Sequence, residues 1–188
     1  MTTGEGGMVT TDDPELYRLG NLIRSHGDDG RYHHVMLGLN YRLTDIMAAI
    51  GLNQLAELND YLSKRKRVAE QLRKGLKRLD SVKPQEITDG AEPSYSYFSV
   101  KLDPEALRCS RDEFVRALQA ENIECGVHYP IPLTEQPILK QLLHPNTCPH
   151  SEELARTILS LPMHPYLTAD EINLVVEAVE KVATHYSR

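Results

Sequence analysis

The chain of 188 residues carries 21 basic and 27 acidic side chains, a net charge of −6 and a pI near 5.7, a balance that argues against a general nucleic-acid binder. No stretch approaches the roughly eighteen apolar residues of a membrane span, and the polar start lacks a secretory apolar segment. Three cysteines (Cys109, Cys125, Cys148) are too few for a disulfide scaffold, which makes a reducing cytoplasm the expected setting for one or two domains with a sizeable core.

In chain order, Met1–Thr11 reads as two glycine turns flanking a short β-prone run, a hairpin in need of neighbours to pack on. Asp13-Pro14 opens a helix expected to run to about Ser25, with Leu16, Leu19 and Ile23 inward and His26-Gly27 as its stop. A polar loop, Asp28 to Leu37, carries Arg31, Tyr32, His33 and His34.

The stretch Gly38–Leu79 organises the rest. Thr44 is the expected N-cap, and Asp45 puts a negative charge in the first turn. Ile46 to Leu52 is apolar on every side, the pattern of a helix buried all round. Beyond it Leu55, Leu58, Leu62, Ala69, Leu72, Leu76 and Leu79 form one stripe. Asn40-Tyr41-Arg42 stands at the start of this unit, where free backbone N–H groups and the helix dipole favour a phosphate or carboxylate. Asn40 is equally suited to fix a turn, and Arg42 to pair with a surface carboxylate.

Residues 82–93, with Pro84, Gly90 and Pro93, read as a linker. Tyr95–Leu102 is a strand by composition, and Ser110-x-x-Glu113 is a capping box for a helix burying Phe114, Val115 and Leu118. A short strand from Ile123 to Val127 would complete a βαβ-like unit, placing His128-Tyr129-Pro130 at a strand end where α/β folds host ligands. A half-buried structural role for His128 is the alternative. Ser151 should cap a helix to about Leu159, the run 161–165 is extended, and Thr168-x-x-Glu171 opens a last helix with Ile172, Val175, Val176, Val179 and Val182 inward.

Two further patterns point to structure rather than chemistry. The basic run Lys64–Arg67, with Arg73, Lys74, Lys77 and Arg78, encircles a helical turn instead of lining one face, as a solvated surface partly paired with Glu57, Asp60 and Glu70 would. Cys125-x-x-His128 and Cys148-x-His150 lack the repeated half-sites of structural zinc centres.

The segments Thr2–Thr11, Tyr32-His33-His34, Gly38–Arg42, Ala48–Leu55, Gly126–Pro130 and Leu159–Pro165, in this order, resemble the C-terminal half of the DegT/DnrJ/StrS sugar aminotransferases. The resemblance covers essentially the whole chain. It implies an α/β fold, here an α+β-like fragment: the C-terminal part of a fold-type-I, pyridoxal 5'-phosphate-dependent transferase. Residues 1–80 would end the large cofactor domain with a long interdomain helix, and residues 81–188 would form a small αβ domain. It further implies a cytoplasmic homodimer with active sites at the subunit interface, moving an amino group from glutamate to a nucleotide-linked keto sugar, with neither membrane nor nucleic acid as partner.

Carried over residue by residue, Asn40 would reach the cofactor phosphate of the partner subunit, with Arg42 beside it. Tyr41, His128 and Tyr129 would approach the substrate. Thr134 stands where many relatives have a histidine. The Schiff-base lysine of the family would fall about two residues upstream of Met1, and Lys64, Lys66, Lys74 and Lys77 lie outside any matching motif. The chain by itself is therefore expected not to transaminate, Met1 being an internal methionine of a longer enzyme or the start of a natural truncation. The alternatives are a non-catalytic module pairing with a full-length relative, and a regulator binding nucleic acid through the basic helix.

Overall fold

The computed structural model describes residues 1–142 and 147–188. They form two compact units, Met1–Asn59 and Asp60–Arg188.

In the first unit, helix α1 (Pro14–Arg24) starts as expected, with the Asp13 carboxylate accepting the N–H groups of Glu15 and Leu16. Its inward residue is Leu22, while Leu16 and Ile23 are exposed. The face is rotated because the returning loop packs on the last turn. Helix α2 (Asp45–Ala56) is capped by Thr44, whose hydroxyl accepts the Met47 N–H. Contrary to the expectation of all-round burial, Ile46 (76 %) and Leu52 (70 %) are largely exposed, and Gly51 is its one buried residue. Within this unit the N-terminal residues lie against it: the Thr2 N–H binds the Gln54 side chain, and the Thr3 methyl faces Gly51. The hairpin expected over residues 1–11 is not formed. Hydroxyl-capped turns at Thr2 and Thr3 take its place, and no strand among the described residues pairs with this segment.

Helix α3 (Leu58–Leu76) follows after a break at Glu57 and lies almost wholly in the second unit. Of the expected stripe, Ala69, Leu72 and Leu76 are fully buried in that unit's core together with Val68; Leu58, Leu62 and Leu79 are half-buried, and Leu55, which belongs to α2, is exposed. The next segment is not a free linker: Val82–Pro84 is strand β1, paired antiparallel to β2 (Phe98–Leu102) in the register Val82↔Leu102. Strand β2 buries Phe98, Val100 and Leu102 alternately, the period of a sheet with one core face. It pairs antiparallel with β3 (Ile158–Leu161), giving the order β1-β2-β3.

The Ser110–Glu113 capping box is present, and α4 (Arg111–Ala120) buries Phe114 and Leu118, each such side chain contributing about 1.5–3 kcal/mol. The βαβ expectation fails after this helix. Ile123 spends its N–H on Leu118 O to close α4, and of the following residues only Gly126 meets a strand, exchanging both backbone hydrogen bonds with Ser160. A short helix α5 (Pro137–Leu142) precedes α6 (Pro149–Thr157), which begins at Pro149 instead of at a Ser151 cap and ends early because β3 takes Ile158 and Leu159. The second capping box opens α7 (Ala169–Tyr186), which presents Ile172, Val175, Val179 and Val182 to the core.

Candidate functional site

The predicted site residues fall into two groups, one in each unit. Asn40, Tyr41 and Arg42 belong to a return of the chain onto the end of α1. Gly27 turns the chain with φ +69° while its N–H binds Leu22 O at 2.7 Å. The chain then loops back so that Leu39 donates to Ile23 O (2.7 Å), His26 to Leu39 O (3.0 Å) and Tyr41 to Arg24 O (2.9 Å). Two glycines make this crossing possible. A Cβ on Gly27 would lie 1.8 Å from Met36 O, and one on Gly38 would lie 2.1 Å from Gly27 N.

The loop between them is organised by Asp28, whose carboxylate accepts from the N–H groups of Gly30, Tyr32 and His33. These donors, Gly30 foremost, hold its carboxyl below the usual aspartate range. His33 pairs with Asp29 at 2.7 Å, and His34 Nδ1 meets His26 O at 3.0 Å.

The outcome for the anion site is specific. The Tyr41 N–H is committed to Arg24, and the first turn of α2 already holds the Thr44 hydroxyl and the Asp45 carboxylate. Two of the N–H groups near the helix start are therefore engaged, that of Tyr41 by Arg24 and that of Met47 by Thr44, and the side chains of Asn40 and Arg42 are the further donors offered to an anion. Asn40, Tyr41 and Arg42 are all exposed. Arg42 Nε donates to Ser25 Oγ at 3.2 Å, and among the described residues no ion pair engages its guanidinium. One anchored edge leaves a fork of N–H donors on Arg42, two residues along from the exposed Asn40 carboxamide, a chemistry suited to phosphate or carboxylate oxygens.

In the second unit His128 and Tyr129 follow the Gly126–Ser160 bridge, as adjacent rings at 90° with centroids 5.8 Å apart. His128 separates two clefts. One, of about 530 Å3, is lined by Tyr97, Glu124, Cys125, Ser160 and His164, and the other, of about 410 Å3, by Tyr129, Ile131, Leu133 and Leu154. Sequence reading missed Tyr97, whose ring lies 4.6 Å from that of His128. Nothing local marks it, because it comes from the segment before β2. Burial pushes the Cys125 thiol up, and its Sγ faces Val115 O. The Thr134 hydroxyl is buried and has no hydrogen-bond partner among the described residues.

The basic helix is engaged structurally. Lys64 pairs with Asp60 and lies over the Tyr166 ring, Arg65 donates to Tyr95 O and Met163 O, Arg73 to Gln85 O, and Arg78 pairs with Glu180.

Comparison with known proteins gives these groups a setting. Residues 1–180 match the DegT/DnrJ/EryC1/StrS aminotransferase family. The chain is 33 % identical to the UDP-2-acetamido-2-deoxy-3-oxo-D-glucuronate aminotransferase of Pseudomonas aeruginosa, over 94 % of this chain and 46 % of that protein. It is 35 % identical to the GDP-perosamine synthase of Caulobacter vibrioides, over 97 % and 49 % respectively. The crystal structure of S. venezuelae DesV in complex with a ketimine intermediate superposes with a TM-score of 0.85 at 30 % identity, covering 93 % of this chain and 46 % of that one. A DegT/DnrJ/EryC1/StrS aminotransferase from Brucella abortus gives 0.80 at 33 % identity, over 91 % and 44 %. The chain thus spans about half the length of the relatives it matches. The shared architecture is α/β, that of the fold-type-I aminotransferases, in its C-terminal part.

Proposed function

The chain belongs to the DegT/DnrJ/EryC1/StrS aminotransferase family, and from that premise we propose that it is the C-terminal portion of a pyridoxal 5'-phosphate-dependent aminotransferase acting on nucleotide-linked keto sugars. The observation that carries this reading is the extent of the match: nearly the whole chain aligns with about half of relatives named for UDP-, dTDP- and GDP-linked sugars. In the complete enzyme residues 1–80 end the large domain and residues 81–188 make the small one, α3 being the helix between them whose buried stripe packs into the core of the unit Asp60–Arg188. Glutamate is the amino donor, the assembly is a homodimer, and the setting is the cytoplasm. Among the described residues no helix is long and apolar enough to cross a membrane.

When bound, pyridoxal phosphate supplies the electron sink for amino transfer. Toward it this chain contributes Asn40 and Arg42 as holders of the phosphate. Their exposure and the anchored Arg42 edge fit that group. Tyr41 stands beside them, and His128 with Tyr129 faces the sugar substrate. Each is a binding and orienting role.

The test is a chimera in which residues 1–188 replace the matching half of the Pseudomonas aeruginosa relative. Asn40→Ala and Arg42→Ala should each weaken pyridoxal phosphate affinity about tenfold or more, the loss expected for a charge-assisted or polar phosphate contact of about 1.5–3 kcal/mol. A folded, active chimera whose cofactor affinity ignores both substitutions would remove the phosphate assignment, and a folded but inactive chimera would remove the aminotransferase reading. A second reading, a non-catalytic module pairing with a full-length relative, is favoured by the exposed apolar residues of α2. Absence of a mixed dimer at micromolar concentration in size-exclusion chromatography would end it.

A further inference from the structure

We infer that Tyr97 and Gly126 are positioning residues for His128, fixing its imidazole between the two clefts of the second unit. The inference rests on the proposed substrate-facing role of His128 and adds to it the means by which that ring is held. The Tyr97 and His128 rings have centroids 4.6 Å apart and planes inclined by 34°, within the range of an offset aromatic contact. Against the imidazole stands a residue whose lack of a side chain leaves room for the ring in this position: a Cβ on Gly126 would lie 2.7 Å from His128 Cε1 and 3.3 Å from Nδ1.

Gly126 is itself fixed. Its N–H donates to Ser160 O at 3.0 Å, and its carbonyl accepts the Ser160 N–H at 2.8 Å, with Ser160 buried in β3. The ring is therefore bounded by a backbone tied to the sheet and by an aromatic face. An imidazole held in this way loses little rotamer freedom when it meets a ligand. Because His128 lines both clefts, a change in its orientation alters both at once.

Gly126 also offers a clean perturbation. Its φ is not left-handed, so alanine suits the backbone and displaces only the far end of a side chain. Tyr97 is half exposed (52 %), so its replacement leaves the core intact.

The experiment has two readouts. In NMR spectra of the full chain, the His128 ring protons should lie upfield under the Tyr97 ring. Tyr97→Leu abolishes that shift, Tyr97→Phe keeps it, and Gly126→Ala changes it while the melting temperature stays at the wild-type value. In the chimera, Gly126→Ala and Tyr97→Leu should raise KM for the keto-sugar nucleotide about tenfold with kcat within about twofold, the signature of lost ground-state binding, and Tyr97→Phe should restore it. Ring signals indifferent to Tyr97→Leu and Gly126→Ala would overturn the inference whatever the kinetics. Ring signals that respond while KM does not would overturn it as well. His128→Ala, measured alongside, separates this failure from that of the functional reading: if it too leaves KM unmoved, the substrate-facing role of His128 itself is wrong.

Discussion

Gly75→Ala provides a demanding test of the packing that holds the second unit together. In an isolated helix the change is favourable by about 1 kcal/mol, because alanine restricts the unfolded chain and glycine does not. In α3 the new methyl would lie 2.6 Å and 2.8 Å from the two γ-carbons of Val176, about 1 Å inside ordinary carbon–carbon contact. A valine in a helix has essentially one χ1 rotamer, so its methyls cannot swing aside and α3 and α7 must separate locally. Overpacking of this kind costs about 1–3 kcal/mol, which outweighs the propensity gain. The expected net effect is a destabilisation of about 1 kcal/mol, or about 3 °C in melting temperature. Urea denaturation followed by circular dichroism measures it.

Val176→Ala alone should cost about 2 kcal/mol for two buried methyl groups. In the double variant the two closest contacts are gone and only the Val176 Cβ remains near, at 3.2 Å, so the combined loss should fall short of the sum of the single losses by about 2 kcal/mol, the overpacking cost itself. Additivity within about 0.3 kcal/mol, or a Gly75→Ala protein more stable than wild type, would show that the two helices are not in contact at this point.

Two further outcomes concern the first unit. Gly27→Ala puts a Cβ onto Met36 O at a left-handed φ of +69°, a collision of backbone on backbone that no rotamer relieves. Amide protection of Leu39 and Tyr41, whose N–H groups bind Ile23 O and Arg24 O, should be lost while that of α7 persists, and unchanged protection would rule the crossing out. Asp28 gives a pH dependence of known sign. Its carboxyl is held below the usual range by the Gly30, Tyr32 and His33 N–H groups, so its contribution is complete above the ordinary aspartate pKa of about 3.9 and disappears as pH falls through the lower, folded value. Exchange protection of those three amides should follow this course and lose its pH step in Asp28→Asn. A step that survives the substitution belongs to another group.

The features that could be read in the sequence are those whose partners lie within one turn of helix. Asp13, Thr44, Ser110 and Thr168 all cap where their side chains predict, since a cap needs only its own residue and the next three. Periodicity within one helix likewise marks Ala69, Leu72 and Leu76 of α3 and the apolar face of α7, but it does not show the break at Glu57 that leaves Leu55 exposed on α2. Strand pairing was not, because it depends on distant partners. Val82–Pro84 pairs with β2 despite its proline, and Ile123–Val127 loses its ladder to the closure of α4. The face of α1 was misassigned to Leu16 and Ile23 because the buried side is decided by a return loop joined by Gly27 and Gly38. For the candidate site, the sequence marked Asn40–Arg42 and His128–Tyr129 as clusters. It could not show that the Tyr41 amide is already committed, nor that Tyr97 stands over His128.

The three-stranded sheet has one more consequence, for what the chain refuses. Open sheet edges invite other strands to add on, in this chain or in its neighbours. Here one outer strand is three residues long and ends in Pro84, which has no N–H to offer, with the exposed Lys83 beside it. On the other side, Ser160 in the middle of β3 has both backbone groups occupied by Gly126. The glycine that gives His128 its floor also occupies the β3 edge, so a single residue closes that side of the sheet and keeps a ring in place.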